Sequence, residues 1–179
     1  MDYFWIRQDR RYLHAPKLSN ARDIVRRRED VTLENERMIA DVSVAFVSSQ
    51  ETIDFVDILD TQFFLVSDRV KDVLRMYEPS LKFKMICILD NLAGGYSNYH
   101  MPFFSPVDCL SEKSIISPDK SEVKKLVLDA QKMDFQTIFK VAGLRTDVVL
   151  VRLDVIESLL RRKIRDFQFE RVKVDTDEN

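Results

Sequence analysis

Four acids, Glu51, Asp54, Asp57 and Asp60, recur at every third position in "ETIDFVDILD", alternating with Ile53, Phe55, Val56 and Ile58. Carboxylates at that spacing could hold a cation or meet a basic surface. A calcium loop of the EF-hand type needs closer ligands, a central Gly and a terminal Glu, a pattern this stretch lacks. Asp54, Asp57 and Asp60 therefore read as a solvated acidic strip, whose functional form would be a docking site for a basic partner.

Other chemistry has little to work with. His14 and His100 are the only histidines, and a hydrolase needs a base beside its nucleophile. "YHMPFF" would place His100 at a strand edge, and an enzyme with a site assembled around it is one alternative reading. No H-E-x-x-H, Walker loop or G-x-S-x-G occurs. Cys87 and Cys109 are too few for a disulfide framework or a four-ligand zinc site. Cys87, inside "MICIL", is expected to be buried and inert, and Cys109 to lie nearer the surface. Arg161, Arg162, Lys163 and Arg165 read as a helix end, and Arg26 to Arg28 are offset by Glu29 and Asp30. The expectation is no catalytic residue, no cofactor and no metal.

The totals agree. The 179 residues hold 28 basic and 30 acidic side chains, a net charge of −2, with 45% hydrophobic residues and three glycines. That is enough chain for one domain with a sizeable core, and it gives no electrostatic case for nucleic acid. The N-terminus lacks the apolar run of a signal peptide, and no apolar run is long enough for a membrane span. A cytoplasmic location is expected.

Two stretches share a pattern. "FFLVSDRVKDVLRMYEPSLKFKMICI" (63–88) and "VVLVRLDVIESLLRRKIRDFQFERVKV" (148–174) each read as strand, helix and strand. Shifted by 85 positions, Leu65, Val66, Val70 and Leu74 fall on Leu150, Val151, Val155 and Leu159. With one more residue in the turn, Leu81, Phe83, Ile86 and Ile88 fall on Phe167, Phe169, Val172 and Val174. A generic β-α-β unit would share much of this, so duplication and coincidence both stay open. In the first copy Ser67 can cap the helix, Val70, Val73, Leu74 and Tyr77 form its apolar face, and Pro79 ends it. In the second, Leu153, Ile156, Leu159 and Leu160 are expected to face inward. Phe83 and Ile86, like Phe169 and Val172, should point opposite ways, which predicts a shared bulge or a strand that passes from one core to another. Arg171 and Lys173 replace Met85 and Cys87, placing the last strand nearer an edge.

The remaining chain is β-rich at "YFWI", "DVSVAF", "YHMPFF", "PVDCL", "KKLVLDA" and "QTIFKVAG", with a short helix possible in 22–28. The fold expected is α+β, mostly β with two short helices. It would be a single domain over 1–174, with repeat-like units at about 55–89 and 138–174 sharing a sheet, and a disordered tail at 175–179.

"FFLVSDRVKDVL", "PVDCLSEKS" followed by "KKLVLDAQKM", and "IFKVAGLRTDVVLVRLDVIESLLRRKIRDFQFERV" together resemble a bacterial family of immunity-type domains from polymorphic toxin systems. Ser67, Asp108-Cys109, Ser114, Ile138-Phe139 and the run from Phe169 to Val172 occupy its motif positions, over roughly 55–174. "VRLD" departs from the pattern, standing where a serine would cap the second helix. The resemblance implies a non-enzymatic protein that binds and neutralises a cognate toxin, such as a basic nuclease domain. The alternative is a homo-oligomeric structural or regulatory module that pairs through the strand near 167–174.

Overall fold

Ser67 ends one strand and caps the helix that follows. Its Oγ accepts the Val70 amide proton at 3.4 Å, and Asp68 adds a carboxylate to the first turn, where the helix dipole favours it. The structure, a computed structural model, describes residues 1–47, 52–133 and 136–176. Around this junction lies a five-stranded sheet. It contains β2 (Val42–Phe46), β3 (Ile58–Leu59), β4 (Leu65–Ser67), β5 (Lys82–Asp90) and β6 (Gly95–Phe103), with helix α2 (Asp68–Tyr77) between β4 and β5 and a short α1 (Ala21–Ile24) before them. The second sheet has six strands: β1 (Tyr3–Arg7), β7 (Pro106–Val107), β10 (Val127–Asp129), β11 (Ile138–Val141), β12 (Val149–Arg152) and β13 (Gln168–Asp175). Helix α3 (Leu153–Arg161) follows β12, and β8 (Ile115–Ile116) with β9 (Val123–Lys125) makes a separate ribbon. The fold is α+β and mostly β.

The sheets run β2-β5-β6-β4-β3 and β10-β13-β1-β12-β11-β7. Read from β2 and from β10, the first five places match in direction: one parallel pair, then three antiparallel pairs. They also match residue by residue. Tyr99 pairs with Ser67 and Ile86, and Tyr3 pairs with Arg152 and Val172. Ile58 pairs with Val66 as Ile138 does with Val151, and Val44 with Cys87 as Val127 does with Lys173. The two tyrosines make one bond twice: Tyr99 Oη donates to the Val56 carbonyl at 2.6 Å, and Tyr3 Oη to the Gln136 carbonyl at 3.0 Å. A generic β-α-β unit requires none of this, because the match includes three strands outside it. The place of β6 is taken in the second sheet by β1, from the far end of the chain.

The two units therefore lie in different sheets and share a core instead. Val70, Val73 and Leu74 of α2 pack with Val155, Ile156 and Leu159 of α3, and with Val66, Ile138, Val149 and Val151 from the strands. The helices run antiparallel. Tyr77 Oη donates to the Asp154 carbonyl at 2.9 Å at one end, and Arg69 donates to the Arg162 carbonyl at 2.7 Å at the other. In α3 the inward face is Val155, Ile156, Ser158 and Leu159, whereas Leu153 and Leu160 are exposed. The 85-residue shift located this face better than the leucine spacing did. α3 has no side-chain cap, as expected from Arg152 in the capping place.

Each sheet buries its other face as well. Ile86, Ile88, Ala45 and Tyr99 meet Leu18, Val25 and Ile39 of the N-terminal segment, and Tyr3, Leu150 and Val172 meet Cys109, Leu128 and Met133. This accounts for the change of hydrophobic phase. Phe83 packs on the helix side and Ile86 on the other, with continuous register from Lys82 to Asp90 and no bulge. β5 and β13 are both second from the end of their sheets. β13 is thus not set nearer an edge, and its Lys173 to Asp175 pair with β10. Asp175 belongs to this strand and accepts hydrogen bonds from Ser111 and Lys113, so the ordered fold extends past 174.

Leu74 and Leu159 are fully buried at the helix contact, and Leu→Ala at either should lower stability by about 2–5 kcal/mol in urea unfolding. Losses below about 0.5 kcal/mol at both would mean that the helix faces are misread. Because β13 and β1 are antiparallel neighbours, fusing Asn179 to Met1 and opening the chain in the exposed turn near Asp119 should give a cooperatively folded permutant. A product without near-ultraviolet circular dichroism would contradict the proximity of these strands.

Candidate docking face

The three sequence-selected acids have different fates. Asp57 is buried and accepts from Ser67 Oγ at 2.8 Å and from the Asp166 amide at 3.4 Å. Its backbone bonds the Asp166 carbonyl and the Ser67 amide. Asp60 accepts from the Gln8 amide at 3.0 Å and from Arg10 Nη2 at 2.6 Å. Only Asp54 keeps a half-exposed side chain without such a role. Glu51 lies outside the described residues. Asp57 and Asp60 thus tie segments together within the protein, and no continuous acidic strip forms among the described residues.

An open surface lies elsewhere, on the helix-facing side of the five-stranded sheet. α2 begins opposite the row of Ser67, Tyr99 and Ile86, yet β5 and β6 run on to Asp90 and Gly95. The extension has no helix above it. Register places Val42, Met85 and His100 in one row, then Val44, Cys87 and Asn98, then Phe46, Leu89 and Tyr96. Val44 is 46% exposed and Tyr96 69%, large values for apolar side chains in paired strands. The hairpin tip is built by Asp90, whose Oδ1 accepts the amide protons of Leu92 and Ala93 at 3.0 and 3.1 Å. Gly94 there adopts φ +71°, which suits a residue without a Cβ.

Matching positions in the other sheet are polar or covered. Arg171 stands for Met85, Lys173 for Cys87 and Asp2 for Asn98, with Arg171 and Asp2 ion-paired at 2.7 Å. Val127, in the place of Val44, is buried, and its backbone is bonded by Ser111 and Ser114. The apolar surface is therefore peculiar to one half of a repeated plan.

Charge at its rim is also lopsided. Asp68 meets His100 Nε2 at 2.6 Å and Lys71 Nζ at 3.1 Å, with Phe83 edge-on to the imidazole. Burial pushes the Asp68 carboxyl up, but hydrogen bonds from His100 and Lys71 outweigh this and hold it below its ordinary range. The Asp68 side chain is 56% exposed against 19% for Lys71. The Asp68 carboxylate stands out, and the Lys71 and His100 it meets are withdrawn. From Met85 to Tyr99 the chain contains no Lys or Arg. His100 and Phe83 replace the Phe4 and Phe169 pair of the other half, so this ion cluster is also one-sided.

The edge of β2 is closed to strand addition by a side chain. Asn20 donates from Nδ2 to the Val44 carbonyl and accepts the Phe46 amide proton at Oδ1, both at 3.0 Å. A plugged edge blocks pairing with another chain, so the face is what remains accessible. Among the described residues no group of His, Cys, Asp and Glu could hold a metal ion, and no helix is long and apolar enough to cross a membrane.

No protein-family model matches the chain, and no curated protein does.

The cysteines reverse the expected order. Cys109 is fully buried in the core behind the six-stranded sheet, and burial pushes its thiol up to about 11. Cys87 is half-buried on the open face. "MICIL" is apolar throughout, but alternate residues of a strand point to opposite faces, and only Ile86 and Ile88 point into the outer core. Native protein should therefore take up one equivalent of a thiol reagent at Cys87, and the second only on unfolding. First labelling at Cys109 would overturn this placement.

Proposed function

We propose that the protein is a non-enzymatic, cytoplasmic binder of another protein, an immunity-like inhibitor that docks a basic toxin domain on the open face of the five-stranded sheet. The observation that carries the reading is the asymmetry between halves: one repeated plan presents an exposed Val44 and an apolar Cys87 in one copy, and a buried Val127 and the charged Lys173 in the other. Contiguous exposed apolar surface with a polar rim is typical of protein interfaces. The protruding Asp68, with Asp72 one turn further along α2 and its side chain 72% exposed, favours a basic partner and would speed its approach. These two take the role that sequence spacing assigned to Asp54, Asp57 and Asp60. The immunity-family resemblance supports the same conclusion.

The test is growth rescue and binding with toxin-like proteins encoded beside the gene. Wild-type chain should neutralise one of them, and the pair Val44→Asp with Tyr96→Ala should weaken binding at least about tenfold while keeping the unfolding midpoint. Asp68→Asn with Asp72→Asn should slow association and flatten its salt dependence, and Asp54→Asn should change neither. Self-association through this face, without binding of a basic partner, would replace the inhibitor by an oligomeric module. Loss of a chemical activity on His100→Gln, with no partner bound, would make the protein an enzyme.

A further inference from the structure

Between the N-terminal segment and the edge of the six-stranded sheet lies a cleft of about 360 Å³, within the usual size of small-molecule sites. Its walls include Val31, Leu33, Phe104, Val141 and Leu144. The repeated plan does not generate it, since one wall comes from a segment outside the matched strands.

Its charges are unequal at the inner end. Asp147 is buried and meets two cations, Lys140 Nζ at 2.5 Å and Arg28 Nε at 3.3 Å. Arg28 is largely engaged: it also donates to the carbonyls of Asp60, Thr61 and Gln62 and to Thr146 Oγ1. The Lys140 ammonium has three donors and, among the described residues, meets Asp147 alone. At the mouth Arg145 and Glu29 pair at 3.2 Å and cancel, and Glu34 is exposed on the rim. The inner end thus has two cations against one carboxylate, with a donor to spare, above an apolar slot.

We infer that this cleft binds a small apolar monocarboxylate, its carboxylate on Lys140 and its hydrocarbon body between Leu33, Phe104 and Leu144. An anion restores charge balance beside Asp147 and engages the spare donors, and the walls remove the body from water. A neutral isostere of the same shape gains only the second effect. This site is separate from the docking face, and its success or failure leaves that reading untouched.

The probe is 4-phenylbutyrate, with 4-phenylbutyramide as its neutral counterpart, titrated into full-length ¹⁵N-labelled protein. Saturable shifts at the amides of Leu33, Val141, Gly143 and Leu144 are expected, with the acid bound at least about tenfold tighter than the amide. Lys140→Gln should abolish that preference while leaving residual binding of both. The wild-type comparison stands even where Lys140→Gln destabilises the fold. Equal affinity for acid and amide, shifts that do not saturate, or shifts centred elsewhere would each overturn the assignment.

Discussion

The five residues of β1, Tyr3–Arg7, must thread between β12 and β13 before the second sheet exists. β1 bonds both neighbours along its length, and without it those strands would face each other across an empty place. Phe4 and Ile6 then reach the core shared with the helices, and Tyr3 reaches the core behind the sheet. Bringing chain ends together costs entropy that grows only slowly with loop length, so the arrangement is thermodynamically accessible. It does make the sheet dependent on contacts between opposite ends of the sequence, which form slowly.

The same coupling governs the polar groups. Asp57, between β3 and the shared core, bonds Asp166 in the turn after α3, and Tyr12 bonds the Asp166 carboxylate at 2.7 Å. Arg28 crosses from the N-terminal segment to the 60–62 turn and to Thr146 and Asp147. A buried polar group without a partner costs about 1–3 kcal/mol. These residues are therefore bound into the fold, and the charges left to act on other molecules are those, such as Asp68 and Lys140, that the fold does not fully engage.

A repeated plan makes such differences readable. Where both copies agree, as in the tyrosine bonds and the helix faces, the residue serves the fold. Where one copy exposes apolar surface and the other covers or charges it, folding gives no reason for the difference. The extension of β5 and β6 beyond α2 is the largest such difference, and its exposed surface costs hydration free energy that no internal contact offsets.

Helix periodicity and capping residues were legible in the sequence because they act within a few positions: α2 was delimited by Ser67 and Pro79, and the match of Leu74 to Leu159 aligned two helices that prove to touch. The strands around them, and the two-faced burial of 81–88, follow from local alternation alone. Sequence could not show that β1 completes the second copy, because that pairing joins positions with no local signal. Nor could it separate Asp57 from Asp68. Both are acids beside apolar residues, and only packing turns one into the core and the other outward. The cysteines make the same point. "MICIL" looked uniformly buried, but which face of β5 a helix covers was decided by where α2 begins, through the tertiary packing of α2 on α3.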